Sequence, residues 1–178
     1  ATTEIYTLSL HDALPIYIIV LGVYSTPEEL GVYSAASRVA LILTLVLTAV
    51  NSIIAPKFAK FYKDGDLSSI GGLAKMSTRL LIIINSIFLL ILIALSEFIM
   101  GGFGSEFASG WSILIILAVG QFFNGSFSSL GYMLTMTGRE SHYKKILLLT
   151  AISNVTISVI AIQFYGPTAV AVITTVSI

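Results

Sequence analysis

The chain has 178 residues, 56% of them hydrophobic and 10% charged, with mean hydropathy +0.98; soluble domains carry about 25% charged residues, so a water-soluble fold is excluded. Nine Lys and Arg balance nine Asp and Glu, which leaves neither a basic surface for nucleic acid nor an acidic tail for a cationic partner. Cysteine is absent, and with it disulfides and thiolate metal sites.

An all-α integral membrane protein remains, in which about 20 apolar residues per helix cross a hydrocarbon core ~30 Å thick. Apolar runs fall at 16–24, 30–56, 79–100, 110–136, 146–164 and from 168 to the end. They predict an antiparallel transmembrane helix bundle of four full spans flanked by two partial ones. The chain starts with Ala and stops at Ile178 inside an apolar run, so it is expected to be a fragment of a longer protein.

The first run is preceded by ATTEIYTLSLHDALP. Were the helix to continue upstream of Pro15, His11 and Asp12 would lie in hydrocarbon, where an Asp costs roughly 2.5 to 3.5 kcal/mol. The stretch resembles translated sequencing-adapter read-through, however. Residues 1–15 are therefore expected to be non-native, leaving 16–178 as a transmembrane bundle truncated at both ends.

The second run starts at Ser25-Thr26-Pro27-Glu28-Glu29. Thr26 suits an N-cap, Pro27 the first helical position, and Glu29 the residue that completes a capping box. Asp64-Gly65-Asp66 supplies turn chemistry, Gly101-Gly102-Phe103-Gly104 breaks the third run, Gly138 caps the fourth, and Gly166-Pro167 separates the last two. Pro56 falls where the second helix leaves its apolar stretch and needs no special role.

Basic residues set orientation, because positively charged loops near span ends stay cytoplasmic. Lys57, Lys60, Lys63, Lys75 and Arg79 surround the second connection, and Arg139, Lys144 and Lys145 the fourth; the first, third and fifth have none. Loops around 57–79 and 137–145 are thus predicted to be cytoplasmic. Phe103, Phe107, Trp111, Phe164 and Tyr165 fit an outer aromatic belt, with Phe58, Phe61 and Tyr62 in an inner one.

Arg38 is the basic residue no loop explains. It lies about 16 Å past the helix start, in a run that stays apolar to Ala55. On a continuous helix Tyr33, Ser34, Ser37, Arg38, Thr44, Thr48, Asn51 and Ser52 share an arc of about 160°. Such a face lines a hydrated cavity, its guanidinium offering bidentate hydrogen bonds to an anion such as a phosphate; the alternative is an Arg38 that snorkels outward above packed hydroxyls. In the fourth span Gln121, Asn124, Gly125, Ser128, Tyr132 and Thr135 form a second stripe, open equally to cavity lining and to interhelical hydrogen bonding. Thr150, Asn154, Ser158 and Ala161 read as packing, and Asn85-Ser86 is isolated. The candidate substrate-binding residues are Arg38, Asn51, Gln121, Asn124 and Ser128.

From Ile16 onward no span carries an Asp, Glu or His in its interior, and no Gly-rich phosphate loop occurs. Hydrolysis and metal catalysis need such groups, so neither an enzyme nor a cofactor is expected, and the positive intramembrane charge favours an anionic substrate.

Several stretches, in order, carry a resemblance: STPEELGVYSAASRV, an Asn-bearing span, APKFAKFYKDGDL, FGSEFASGWSILIILAVGQFFNG and LTMTGRES. Together they resemble the C-terminal half of polysaccharide-type flippases in the multidrug/oligosaccharidyl-lipid/polysaccharide exporter superfamily, over about residues 16–178. The resemblance implies half of a transporter of about twelve helices, with two six-helix bundles and alternating access. It also implies a lipid-linked oligosaccharide of the undecaprenyl-diphosphate type as substrate, moved across a bacterial inner membrane, with the missing N-terminal half as partner and Arg38 among the basic cavity residues. Two positions depart from the family pattern: Tyr17 stands where an Asp is common, and Gly166-Pro167-Thr168 replaces the usual start of the last helix. Asp12 is out of register with that Asp, so its role does not transfer. A cation-coupled multidrug antiporter of the same superfamily, a membrane-embedded polysaccharide polymerase or glycosyltransferase, and a purely structural subunit are the competing readings.

Overall fold

The structure, a computed structural model, describes residues 25–150 and, beyond them, Ile152, Ser153, Thr156, Ile157, Val172 and Thr175. Helix α1 runs over Pro27–Ala40, α2 over Ile42–Lys63, α3 over Leu67–Gly101 and α4 over Trp111–Met136, with a 3-10 turn at Ser105–Gly110 before α4. A further helix, α5, starts at 140 and continues to 150.

Helix α1 begins where its sequence requires. The Thr26 hydroxyl accepts from the Glu29 backbone N–H at 3.3 Å, and the Glu29 carboxylate accepts from the Thr26 N–H at 3.0 Å, closing a capping box that satisfies two orphan donors. Two corners use positive-φ glycines. At Gly65 (φ 73) the Asp66 N–H bonds the Phe61 carbonyl, and at Gly138 (φ 74) the Arg139 N–H bonds the Leu134 carbonyl, both at 3.0 Å. Each is a Schellman closure that only glycine reaches without strain. Asp66 then caps α3, its Oδ1 accepting from the Ser69 N–H at 2.9 Å.

Among the described residues three segments are long and apolar enough to cross a membrane: Pro27–Lys63, Leu67–Gly101 and Ser105–Met136. The expected tally of four full and two partial spans is therefore corrected to three within the described part. The partial run at 16–24 lies outside it, as do His11, Asp12 and Tyr17; so do most of 151–178, including Asn154, Ser158, Ala161, Phe164 and Tyr165.

The first of these segments is not one helix. It breaks at Leu41, whose N–H bonds the Ser37 carbonyl and whose carbonyl receives both the N–H and the hydroxyl of Thr44. Ser37 meanwhile turns its hydroxyl onto the Tyr33 and Ser34 carbonyls. Hydroxyls thus compete for backbone carbonyls on both sides of Leu41, and the regular ladder is interrupted there without proline or glycine although Leu41 keeps helical dihedrals. Pro56, by contrast, sits inside α2, which continues to Lys63.

Helix α4 is central and packs on α1, α2 and α3. Two apolar clusters result. One, away from the basic loops, joins Tyr33, Ala36, Ala40, Leu43, Met100, Leu114 and Ala118 with Phe107 against it; its alanines allow close backbone approach. The other, at the basic end, joins Ile54, Phe58, Ile70, Leu73 and Ala74. Phe58 is fully buried there, so it belongs to the core and not to an aromatic belt, whereas Tyr62, Phe103 and Trp111 are exposed as a belt requires. Leu80, Ile83, Ile87, Leu90, Ile91, Leu95 and Phe98 form an exposed stripe along α3 at helical spacing, the surface a helix offers to lipid.

Candidate functional site: a buried amide seam and an outlying arginine

Between the two apolar clusters lies a polar layer. It gathers Asn51 of α2, Asn85 of α3, and Gln121, Gly125, Ser128 and Ser129 of α4, with Asn51, Asn85 and Gln121 exposed by 1%, 0% and 3%. The Asn51 amide nitrogen donates to Ser128 Oγ at 3.0 Å, and Ser128 Oγ donates to the Gly125 carbonyl at 3.1 Å. Next to Ser128 on α4, Ser129 shares a hydroxyl–hydroxyl bond of 3.0 Å with Thr78 of α3. Gly125 makes room for the Asn85 amide: a Cβ there would stand 2.6 Å from Asn85 Nδ2, and that side chain would have to shift.

Several polar atoms in this layer are buried with no hydrogen-bond partner among the described residues: Asn51 Oδ1, both amide atoms of Asn85, Gln121 Oε1 and Ser126 Oγ. Such a group costs about 1 to 3 kcal/mol, so the seam holds unused hydrogen-bonding capacity in the middle of the bundle. Among the described residues no three of His, Asp and Glu come together as a metal site would need.

The candidate residues thus fall into two places. Asn51 and Ser128 meet in the seam, Gln121 is buried on α4 two turns before Ser128, and Asn124 is half-buried on that helix. Arg38 is elsewhere: it lies on α1, beyond the Leu41 break, and is exposed while Ser37 and Val39 on either side are buried. The shared wet face expected for Arg38 and Asn51 is not formed among the described residues, because Asn51 is buried against α4 while Arg38 is exposed. Thr48 and Ser52 are likewise exposed, but Thr44 is buried. Sequence reasoning missed Asn85, Thr78, Ser126 and Ser129; the available signal was that Ser129, with Gln121, Gly125 and Ser128, already follows the i+3/i+4 rule on α4.

Outside the spans, the Asp66 carboxyl is held below its usual pKa, chiefly by hydrogen bonds from the Ser69 side chain and backbone. The Tyr143 phenol is raised, burial being the main cause and Tyr132 the second.

No family profile matches the chain, and no solved structure matches it. It is similar to the protein named "Probable low-salt glycan biosynthesis flippase Agl15" of Haloferax volcanii, with 26% identity over 161 residues, covering 90% of this chain and 34% of the relative. The chain therefore spans about a third of the length of the curated relative it matches. Three apolar spans and this similarity together describe a multi-pass, membrane-embedded helix bundle distantly related to an archaeal flippase.

Proposed function

We propose that the chain is part of a transporter that moves lipid-linked oligosaccharide units from one leaflet to the other by alternating access, without making or breaking covalent bonds. The similarity to a glycan-biosynthesis flippase over 161 residues supports the substrate class. The observation that carries the reading is Arg38, exposed although it stands about 12 Å into the apolar run that begins at residue 30. A guanidinium at that depth is costly against lipid, so its side of α1 opens onto water or onto the rest of a larger protein. A central passage between two bundles meets that requirement. In it Arg38 contacts the diphosphate or an acidic sugar, and Asn124, half-buried, hydrogen-bonds the glycan. Asn51, Gln121 and Ser128 reach the glycan only if α4 parts from α2 and α3 during the cycle.

The finer assignment is an undecaprenyl-diphosphate-type carrier in a bacterial inner membrane, with the loops around 57–79 and 137–145 cytoplasmic. The alternation of basic and non-basic connections supports that orientation. The experiment is Arg38→Glu in the full-length protein, expressed in cells lacking the native gene. Glycan export should be lost while membrane abundance stays at the wild-type level. Normal export would discard the assignment of Arg38 and, with it, the anionic passage.

A further inference from the structure

A groove of about 500 Å³ opens between α3 and α4 at the basic end, far along the chain from Arg38. Lys75 and Arg79, one helical turn apart on α3, line it together with Ile82, Ile83, Phe127 and Leu130. We propose that this groove is a binding site for an anionic phospholipid of the surrounding leaflet, the headgroup phosphate resting on Lys75 and Arg79 and an acyl chain lying over the apolar residues.

Three observations carry it. Both cations are exposed, and neither joins an ion pair among the described residues. Their position is that of the membrane boundary: the apolar run of α3 begins at Leu80, immediately after Arg79, so Lys75 lies about 6 Å further towards water. Charge and greasiness therefore change over at the same depth as they do in a phospholipid. Thirdly, Ile83, Phe127 and Leu130 are 54%, 49% and 40% exposed, and Ile83 continues into the bare stripe of Ile87 and Leu90. That stripe has the composition of a lipid-facing surface, so the groove is open to occupation from the bilayer. The inference needs only that the protein sits in a membrane and stands whether or not it transports glycans.

The test is native mass spectrometry of the protein purified at full length after equilibration with vesicles of equimolar phosphatidylglycerol and phosphatidylcholine. One phosphatidylglycerol per chain should be retained preferentially. Basic residues near an anionic surface each strengthen binding about fivefold, so K75Q/R79Q should lower that preference on the order of 25-fold. K75R/R79K should keep it, and Ile83→Trp, which fills the groove and leaves both charges, should remove the bound lipid. Retention unchanged in K75Q/R79Q or in Ile83→Trp overturns the proposal. So does displacement of the phosphatidylglycerol by an equimolar polyprenyl diphosphate, which would assign the groove to the carrier lipid, or no preference in the wild type, as expected if another helix covers the groove.

Discussion

Arg38 and the amide seam are both polar, both deep in apolar sequence, and opposite in situation. The seam is shut between three helices, with Asn51, Asn85 and Gln121 almost fully buried, while Arg38 sits on the exposed side of α1 with buried neighbours on either side. A polar residue within a span serves either its own bundle or something beyond it, and accessibility separates the two where helical phase alone does not.

Substitutions can break that contrast or sharpen it. The largest effect on stability is expected from Gly125→Leu, which drives a side chain into Asn85 across the seam; overpacking of about 3 kcal/mol or more should abolish accumulation of folded protein, read as the loss of a monodisperse peak in detergent. Asn51→Ala removes one interhelical hydrogen bond to Ser128 and should cost about 1 kcal/mol, seen as a lowered Tm of the solubilised protein. Asn85→Leu is the discriminating variant. Its amide has no partner among the described residues, so an apolar replacement of similar size should be neutral or slightly stabilising, within about 1 kcal/mol; a clear fall in Tm would mean that the amide is engaged. Arg38→Gln should change stability least of these, by less than about 0.5 kcal/mol, read as a nearly unchanged Tm, because little in the described bundle depends on it.

The smallest effect concerns the hairpin corner. Asp66 has a folded-state pKa below its unfolded value because Ser69 bonds its charged form. Its contribution is present above the unfolded pKa and is lost as pH falls through the folded one. Asp66→Asn, which caps comparably well, should leave neutral-pH stability nearly unchanged and flatten the acid limb of a pH–Tm profile below about pH 4.

Much of the scaffold was readable from local chemistry. Thr26, Pro27 and Glu29 mark the start of α1, and Gly65 and Gly138 the ends of α2 and α4, because each motif closes its bonds within six residues. The break at Leu41 was not readable: Ser37 and Thr44 are common in uninterrupted helices, and only the directions of their hydroxyls reveal the competition for carbonyls. Asn85 was passed over for a different reason. It is isolated on α3, and its meaning comes from Gly125 on another helix, a pairing that no periodicity within one span encodes. The α4 stripe was visible as a stripe, yet both its uses produce the same spacing, and only burial identifies the interior one in this conformation.

The interruption at Leu41 has a mechanical side. As a single rod, Pro27–Lys63 would measure about 55 Å, stiff enough to lever one face of the membrane against the other. Divided at Leu41, it becomes two helices that each pack against α4, so load on either is passed to the bundle beside it as well as along the rod.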